Sequence, residues 1–237
     1  MRKFLIAIGI LIAQTSFAQI SNVHMNGAPA RLSGYSGVDG SPYLFEDWSR
    51  ADIGTTNAGL KENVAYRFNI HENELEVINE AGNTIILNKN YLEYVMLERP
   101  SLIIATSGGS ASGLLTKLLF KKGFEFIRGV NPNDLVNVLA EGKKYSLVRR
   151  FYSDLVTPPK NSYAPTAGKM FVFEESIYLI DENEEVTSVK ARTNSILKAL
   201  HESDQELAKS IIKENKLSLD REDHLVIFFQ KLNETSK

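Results

Sequence analysis

Cysteine is absent from the 237 residues. That removes disulfides, thiol nucleophiles, thiolate-bound zinc and iron–sulfur clusters together. The fold is left to be held by burial alone, which a chain of this length permits. Basic blocks are absent too. Lys and Arg number 27 against 29 Asp and Glu, for a net charge of −2, and they are scattered, so the electrostatic footprint of a nucleic-acid binder is missing. Tryptophan occurs once, as Trp48. Past residue 18 no run reaches the roughly 18 apolar residues that a membrane helix needs, so no stable membrane insertion is expected once the leader is gone.

The leader is the first positive signal. Met1-Arg2-Lys3 is a short basic start, Phe4 to Ala13 is a nearly unbroken apolar run, and Ser16-Phe17-Ala18 puts small residues before a cut at Gln19. This is the three-part layout of a secretory signal peptide over residues 1–18. It gives the expected localisation: exported, either periplasmic or extracellular. Gln19 stands where a lipoprotein would need an acylated cysteine. Loss of Arg2 and Lys3 takes the net charge from −2 to about −4. Hydrophobic content of 43% with 24% charged residues is globular composition, enough to bury a core.

Residues 19–40 are rich in Gly, Ser, Ala and Asn and read as a flexible lead-in. A denser segment opens at Gly40 and holds Tyr43, Leu44, Phe45 and Trp48, an aromatic anchor at a domain edge. From Val64 the pattern turns to strands. Ala65, Phe68 and Ile70 are followed by Leu75, Val77 and Ile78, then the turn Glu80-Ala81-Gly82-Asn83, then Thr84 to Leu87. Tyr91 to Leu97 makes a further strand, which Leu102 to Ala105 continue after Pro100. Leu118 to Val130 reads as a strand pair. Leu135 to Leu139 and Tyr145 to Val148 flank Glu141-Gly142-Lys143-Lys144 as a hairpin. A helix over Asn133 to Ala140, started by Pro132-Asn133-Asp134, is the rival assignment within residues 130–140. Ser107 to Gly113 and Pro158 to Gly168 read as loops. Met170 to Phe173 and Ile177 to Ile180 are strands, and Asp181 to Glu184 turn into Glu185 to Val189. Short strands joined by short turns make an antiparallel sheet.

The last 45 residues are helical in pattern. Ile196, Leu197 and Leu200 share a face, and Ser203-Asp204-Gln205-Glu206 has the form of a capping box. Leu207, Ile211 and Ile212 continue an apolar face to Asn215. Asp220 is placed to cap a final helix whose Leu225, Phe228, Phe229 and Leu232 fall at i, i+3, i+4 and i+7. The fold class is therefore α+β: an antiparallel β-rich body over 41–192, with a C-terminal pair or trio of short helices over 193–237 packed on it.

Gly40-Ser41-Pro42-Tyr43-Leu44-Phe45-Glu46-Asp47-Trp48, following a signal peptide, resembles the opening of a group of secreted envelope proteins from Bacteroidetes-type bacteria, themselves of uncharacterised activity. The hairpin Leu139 to Lys143 and the helical end over Ser195 to Asn233, with its link Lys213 to Leu217, are similar to that group as well. The chain departs from it around Gly54 to Gly59 and at the Ser/Gly loop. The resemblance implies an envelope protein and brings no activity or site residues with it.

Candidate chemistry is thin. Thr106 to Gly113 has glycines spaced like a phosphate-binding loop, but Leu114-Leu115 stands where Lys-Ser/Thr is needed. As a nucleophile elbow, Gly109 to Gly113 has Ala111 where the serine belongs. A flexible connector is the better description. No pair among His24, His71, His201 and His224 has the i, i+4 spacing of a helical zinc site. His71 beside Glu72 and Glu74 has the make-up of a general base, and equally of a solvated turn. Asp181-Glu182-Asn183-Glu184-Glu185 offers alternating oxygens for calcium but has neither the Gly nor the final Glu of a calcium loop, so a charged hairpin turn guarding an edge strand is expected. No cofactor and no metal are expected. Tyr43, Asp47 and Trp48 are the ligand-contact candidates, since aromatic faces suit apolar sugar faces. The expected function is a non-enzymatic binding or assembly module whose partner is an envelope protein or glycan. The alternative is a hydrolase acting on envelope glycan or peptide through two carboxylates that the fold brings together.

Overall fold

The computed structural model describes residues 25–30, 35–106, 113–157 and 168–235. The leader, His24, nearly all of the Ser/Gly loop and the stretch 158–167 lie outside the described residues. Eleven antiparallel strands form one sheet: β1 (Gly27–Pro29), β2 (Ser49–Thr55), β3 (Gly59–Asn69), β4 (Glu74–Ile78), β5 (Thr84–Leu87), β6 (Leu92–Glu98), β7 (Lys117–Lys121), β8 (Val136–Ala140), β9 (Tyr145–Val156), β10 (Met170–Asp181) and β11 (Val186–Val189). Their spatial order is β1-β5-β4-β3-β2-β6-β7-β8-β9-β10-β11. Two meanders thus join where β6 returns to pair with β2. The α+β class is as the sequence pattern implies, with α1 (Ser101–Thr106) inside the sheet region and α2 (Thr193–Ala199), α3 (Gln205–Glu214) and α4 (Glu222–Thr235) at the end. No helix among the described residues is long and apolar enough to cross a membrane.

One face of the sheet carries the buried side chains from end to end. The register runs Ile85–Val77–Tyr66 across the first meander and Leu97–Leu118 across β6 and β7. Asn137–Arg149–Ile177–Val189 continues it to β11. The first half of this face closes on itself. Phe68 on β3 and Phe120 on β7 are three pairings apart, about 14 Å in a flat sheet, yet their ring centroids lie 5.3 Å apart. His71, just past β3, meets Ser153 on β9, five pairings away, through a 2.7 Å hydrogen bond. Only a tightly curled sheet allows both. The segment before β2 laces the closure. Pro42 O accepts from Ile70 N (2.8 Å), Asp39 O from Phe171 N (2.8 Å), and Ser41 O from the Ser153 hydroxyl (2.9 Å). The second half is covered instead by helices, with Tyr145, Leu147, Ile177 and Leu179 packed under Ile196, Ala208, Leu225, Phe228, Phe229 and Leu232.

Several local expectations are corrected. Leu102 to Ala105 are helix, not strand. Pro100 has no N–H to contribute to a ladder and suits a helix start, Ile103 N bonds Pro100 O, and Leu102 is 64% exposed. Of Leu118 to Val130 only the first part is strand. The chain leaves the sheet at Gly123 (φ 93°), and Ile127 and Val130 then cover the outer face over Val136, Val138, Val148 and Ile180. Met170 to Asp181 is one strand, because twelve consecutive pairings to β9 carry it through Glu174-Glu175-Ser176. β2 and the first turn-proximal part of β3 lie before Val64, where polar residues hide the period. The expected lead-in supplies β1, paired to β5 at the sheet edge.

The capping box does not form. α3 starts at Gln205, and Asp204, at its N-cap, makes no side-chain bond to the helix. Its buried carboxylate accepts from the Tyr145 hydroxyl (2.7 Å) and from Lys144 Nζ (2.7 Å). Ser203, the expected cap, lies inside a 3-10 turn over Glu202–Asp204 that runs directly into α3, so it does not stand at the helix start. Asp220 does not head the last helix either: α4 opens at Glu222, and the Asp220 carboxylate takes the Ser218 hydroxyl.

The β8–β9 hairpin stands as expected, and α4 fastens it. Asn233 Oδ1 accepts from Lys144 N (3.2 Å) and Tyr145 N (2.9 Å), while its Nδ2 donates to Tyr145 O (2.8 Å). Gly142 makes room for this side chain, since a Cβ there would sit 2.1 Å from Asn233 Cγ. Gly142→Ala is therefore expected to lower unfolding free energy by about 1–3 kcal/mol, read by urea denaturation. An unchanged midpoint would mean that Asn233 moves aside without loss.

Candidate functional site

Between the curled half and the helix-covered half, the buried face becomes polar. Asn137 on β8 and Arg149 on β9 are cross-strand neighbours on that face, and both are buried. Arg149 donates through Nε (3.1 Å) and Nη2 (3.0 Å) to Asn137 Oδ1, and Asn137 Nδ2 donates to Leu119 O (2.9 Å). Two such groups inside an apolar core need a counter-charge. Glu222 in the first turn of α4 supplies it. Its carboxylate accepts from Arg149 Nη1 (2.6 Å), from Arg99 Nη2 (3.1 and 3.0 Å) and from Leu115 N (2.9 Å). Its place at a helix N-terminus adds a favourable dipole. Burial alone would raise its pKa, but the charge and hydrogen bond of Arg149, with Leu115 and Arg99, hold it below the ordinary carboxylate range. Two guanidiniums share one largely buried carboxylate, and Glu175 on β10, 3.7 Å from Arg149 Nη1, faces the surplus charge. Arg99 Nε is buried without a partner among the described residues.

A cavity of about 400 Å³ opens on this seam. Its walls include Leu139, Arg149, Glu175, Ile177, Glu222 and Leu225. Its lining combines apolar and charged side chains, a mixture suited to recognition. Glu175 and Ile177 of β10 line the cavity, and part of the outer edge of β10 is unpaired among the described residues. β11 pairs only with Ile177 to Ile180, and Asp39 bridges at Met170. Among the described residues no strand pairs with β10 from Val172 to Ser176 on that side.

The sequence candidates fall elsewhere. Tyr43 and Trp48 are brought together, but by Arg67, whose guanidinium lies 4.0 Å from the Tyr43 ring centroid and 5.3 Å from that of Trp48. Arg67 in turn pairs with Glu76 (2.9 Å), which accepts from the Tyr43 hydroxyl (3.0 Å). Burial and this bond to Glu76 push the Tyr43 phenol up to about 12. One aromatic face each is thereby occupied by a cation from the chain itself. Asp47 is exposed and makes no hydrogen bond or ion pair among the described residues. His71 lies in the turn between β3 and β4, partly exposed and close to Glu72. Its Nδ1 donates to Ser153 O, which fixes the ring, and its Nε2 lies 3.8 Å from Glu72. Asp181 holds its hairpin turn by accepting from Asn183 N and Glu185 N (both 2.9 Å) and also meets His201 Nε2 (3.1 Å). The seam residues Arg99, Asn137, Arg149 and Glu222 were not singled out by sequence. The only local sign is the out-of-pattern polarity of Asn137 and Arg149 inside apolar strand runs.

Glu222 and Asp204 both titrate lower folded than unfolded; for Asp204 burial pushes upward, but the bonds from Lys144 and Tyr145 outweigh it. Their stabilisation is complete above the ordinary carboxylate range of about 4 and is lost as pH falls through their depressed folded values. Glu222→Gln should cost roughly 3–5 kcal/mol at neutral pH, because it strands two buried guanidiniums. It should also flatten the acid limb of a plot of unfolding free energy against pH. An unchanged acid limb would remove Glu222 from the account.

No family model matches this chain, and neither the curated proteins nor the solved structures yield a match.

Proposed function

We propose that the chain is an exported, non-enzymatic binding or assembly module, whose partner is an envelope protein or glycan and whose recognition site is the seam cavity with the open edge beside it. The export half of this proposal rests on the leader at residues 1–18. The observation that carries the rest is the state of the cavity's buried carboxylate. A glycosidase-type pair needs one carboxyl group kept protonated, with a raised pKa, to act as the acid. Glu222 has the opposite environment: two guanidiniums and a backbone amide hold it ionised. Fixed charges that are already paired orient a ligand well and move protons poorly. The cavity's apolar side chains, Leu139, Ile177 and Leu225, add contact area.

The hydrolase alternative places Glu175, an exposed carboxylate of the cavity, in the reacting role. The two readings separate in one experiment. The purified exported chain is titrated with the components it retains from envelope extract and is then incubated with peptidoglycan fragments and envelope peptides. The expected result is saturable, stoichiometric binding with no product. Turnover that disappears in Glu175→Gln would establish the hydrolase and end the binding-module proposal.

A further inference from the structure

We infer that the open edge of β10 takes a short extended peptide as an added strand, with an apolar residue over Phe173 and a lysine or arginine, two positions away, against Glu175. This rests on the binding-module proposal and specifies its partner. The edge has a defined length and direction. Asp39 closes it through Phe171, β11 closes it from Ile177, and the five residues Val172 to Ser176 remain between them. The outward groups follow from the ladder. Phe171 N donates to Asp39 O and Lys169 O accepts from Asp39 N, so odd-numbered residues here point their backbone groups away from β9. By the same alternation, the N–H and C=O of Phe173 and Glu175 face the gap. A peptide laid there gains main-chain bonds of the kind used in strand addition.

The side chains set what that peptide carries. Phe173 and Glu175 lie on the same face, the one bearing Arg149 and Phe151, because they pair with Ser153 and Phe151. Phe173 is 50% exposed, with its other side against the Phe151 ring at 6.0 Å. An apolar residue above it completes a cluster that is half built. Glu175 lines the seam cavity and is itself exposed. A basic side chain opposite it enters the cavity mouth with a carboxylate to meet, and its stem lies along Ile177. Residues on one face of a strand are two apart, so the pattern is apolar–x–basic, in either direction.

A second copy of this chain fits worse. Pairing two β10 edges antiparallel about their midpoint sets Glu174 directly opposite Glu174, and like charges in that position oppose pairing. Glu174 thus guards the edge against self-association, while Glu175, on the other face, selects a basic partner.

The probe is a displayed library of random seven-residue peptides, selected against the full exported chain near physiological salt. Enrichment of apolar–x–basic sequences is expected. Synthetic copies should lose at least tenfold in affinity when Glu175→Lys is introduced, and similarly with Phe173→Pro, which removes one outward N–H and leaves the β9 pairings of the even-numbered residues in place. In case that variant disturbs the fold, the peptide itself is altered. N-methylation at alternate amides should abolish binding in one phase and spare it in the other. Enriched peptides without a basic residue, affinity indifferent to methylation phase, or dimerisation of the chain abolished by Phe173→Pro would each overturn the edge proposal. If a retained envelope component still binds both variants at full affinity, the edge proposal falls while the binding module stands. Turnover lost in Glu175→Gln removes both.

Discussion

Two buried guanidiniums share one carboxylate at the place where the sheet ceases to cover itself and helices take over. The rest of the structure is arranged around that meeting. Eleven strands expose one long apolar face. Curling hides the part from β1 to β7, and α2, α3 and α4 hide the part from β8 to β11. Neither device reaches the join, and Asn137, Arg149 and Arg99 occupy it. Glu222 can satisfy them only if α4 begins at that point, so the ion pair sets where the helix starts and how it lies. A buried pair of this kind adds little net stability compared with an apolar replacement, while its disruption is expensive. It specifies an arrangement more than it strengthens one.

The curled half depends on a different constraint. Residues 39–43 are backbone without regular structure, yet they bond to β3, β9 and β10 together. They act as the clasp of an incomplete barrel. The stack of Tyr43, Arg67 and Trp48 secures the next few residues, with Glu76 beneath it as a buried counter-ion. Aromatic residues that look like a sugar platform in the sequence thus serve to anchor the clasp. The same segment closes one end of the open edge of β10, so the clasp also defines the stretch that a partner strand can use.

How much of this was legible in the sequence follows a physical rule. Elements whose stability is local were readable: the β8–β9 hairpin, the turn at Asp181, and α4 with its stripe of Leu225, Phe228, Phe229 and Leu232. Elements decided by distant partners were not. Leu102 to Ala105 have strand composition, but Pro100 and the end of the β6 pairings turn them into helix. The middle of β10 is too acidic to read as strand, and it is one because β9 runs unbroken beside it. Ser203 and Glu206 spell a capping box, but a 3-10 turn takes up Ser203, and its last residue, Asp204, is held by Tyr145 and Lys144, some sixty residues away. The candidate site suffers most from this limit. Arg99, Asn137, Arg149 and Glu222 are single polar residues with no shared motif, and only the folded sheet places them together.

The clasp has a consequence for the order in which the chain can become native. Ser41 O waits for Ser153, 112 residues downstream, and Arg99 waits for Glu222, 123 residues downstream. Contacts of such separation make loop closure a large part of the folding barrier. During synthesis the first meander can form its hairpins, but the clasp cannot close until β9 and β10 exist. A chain with this wiring remains unfinished, and so threadable through a narrow pore, until most of its length has been made.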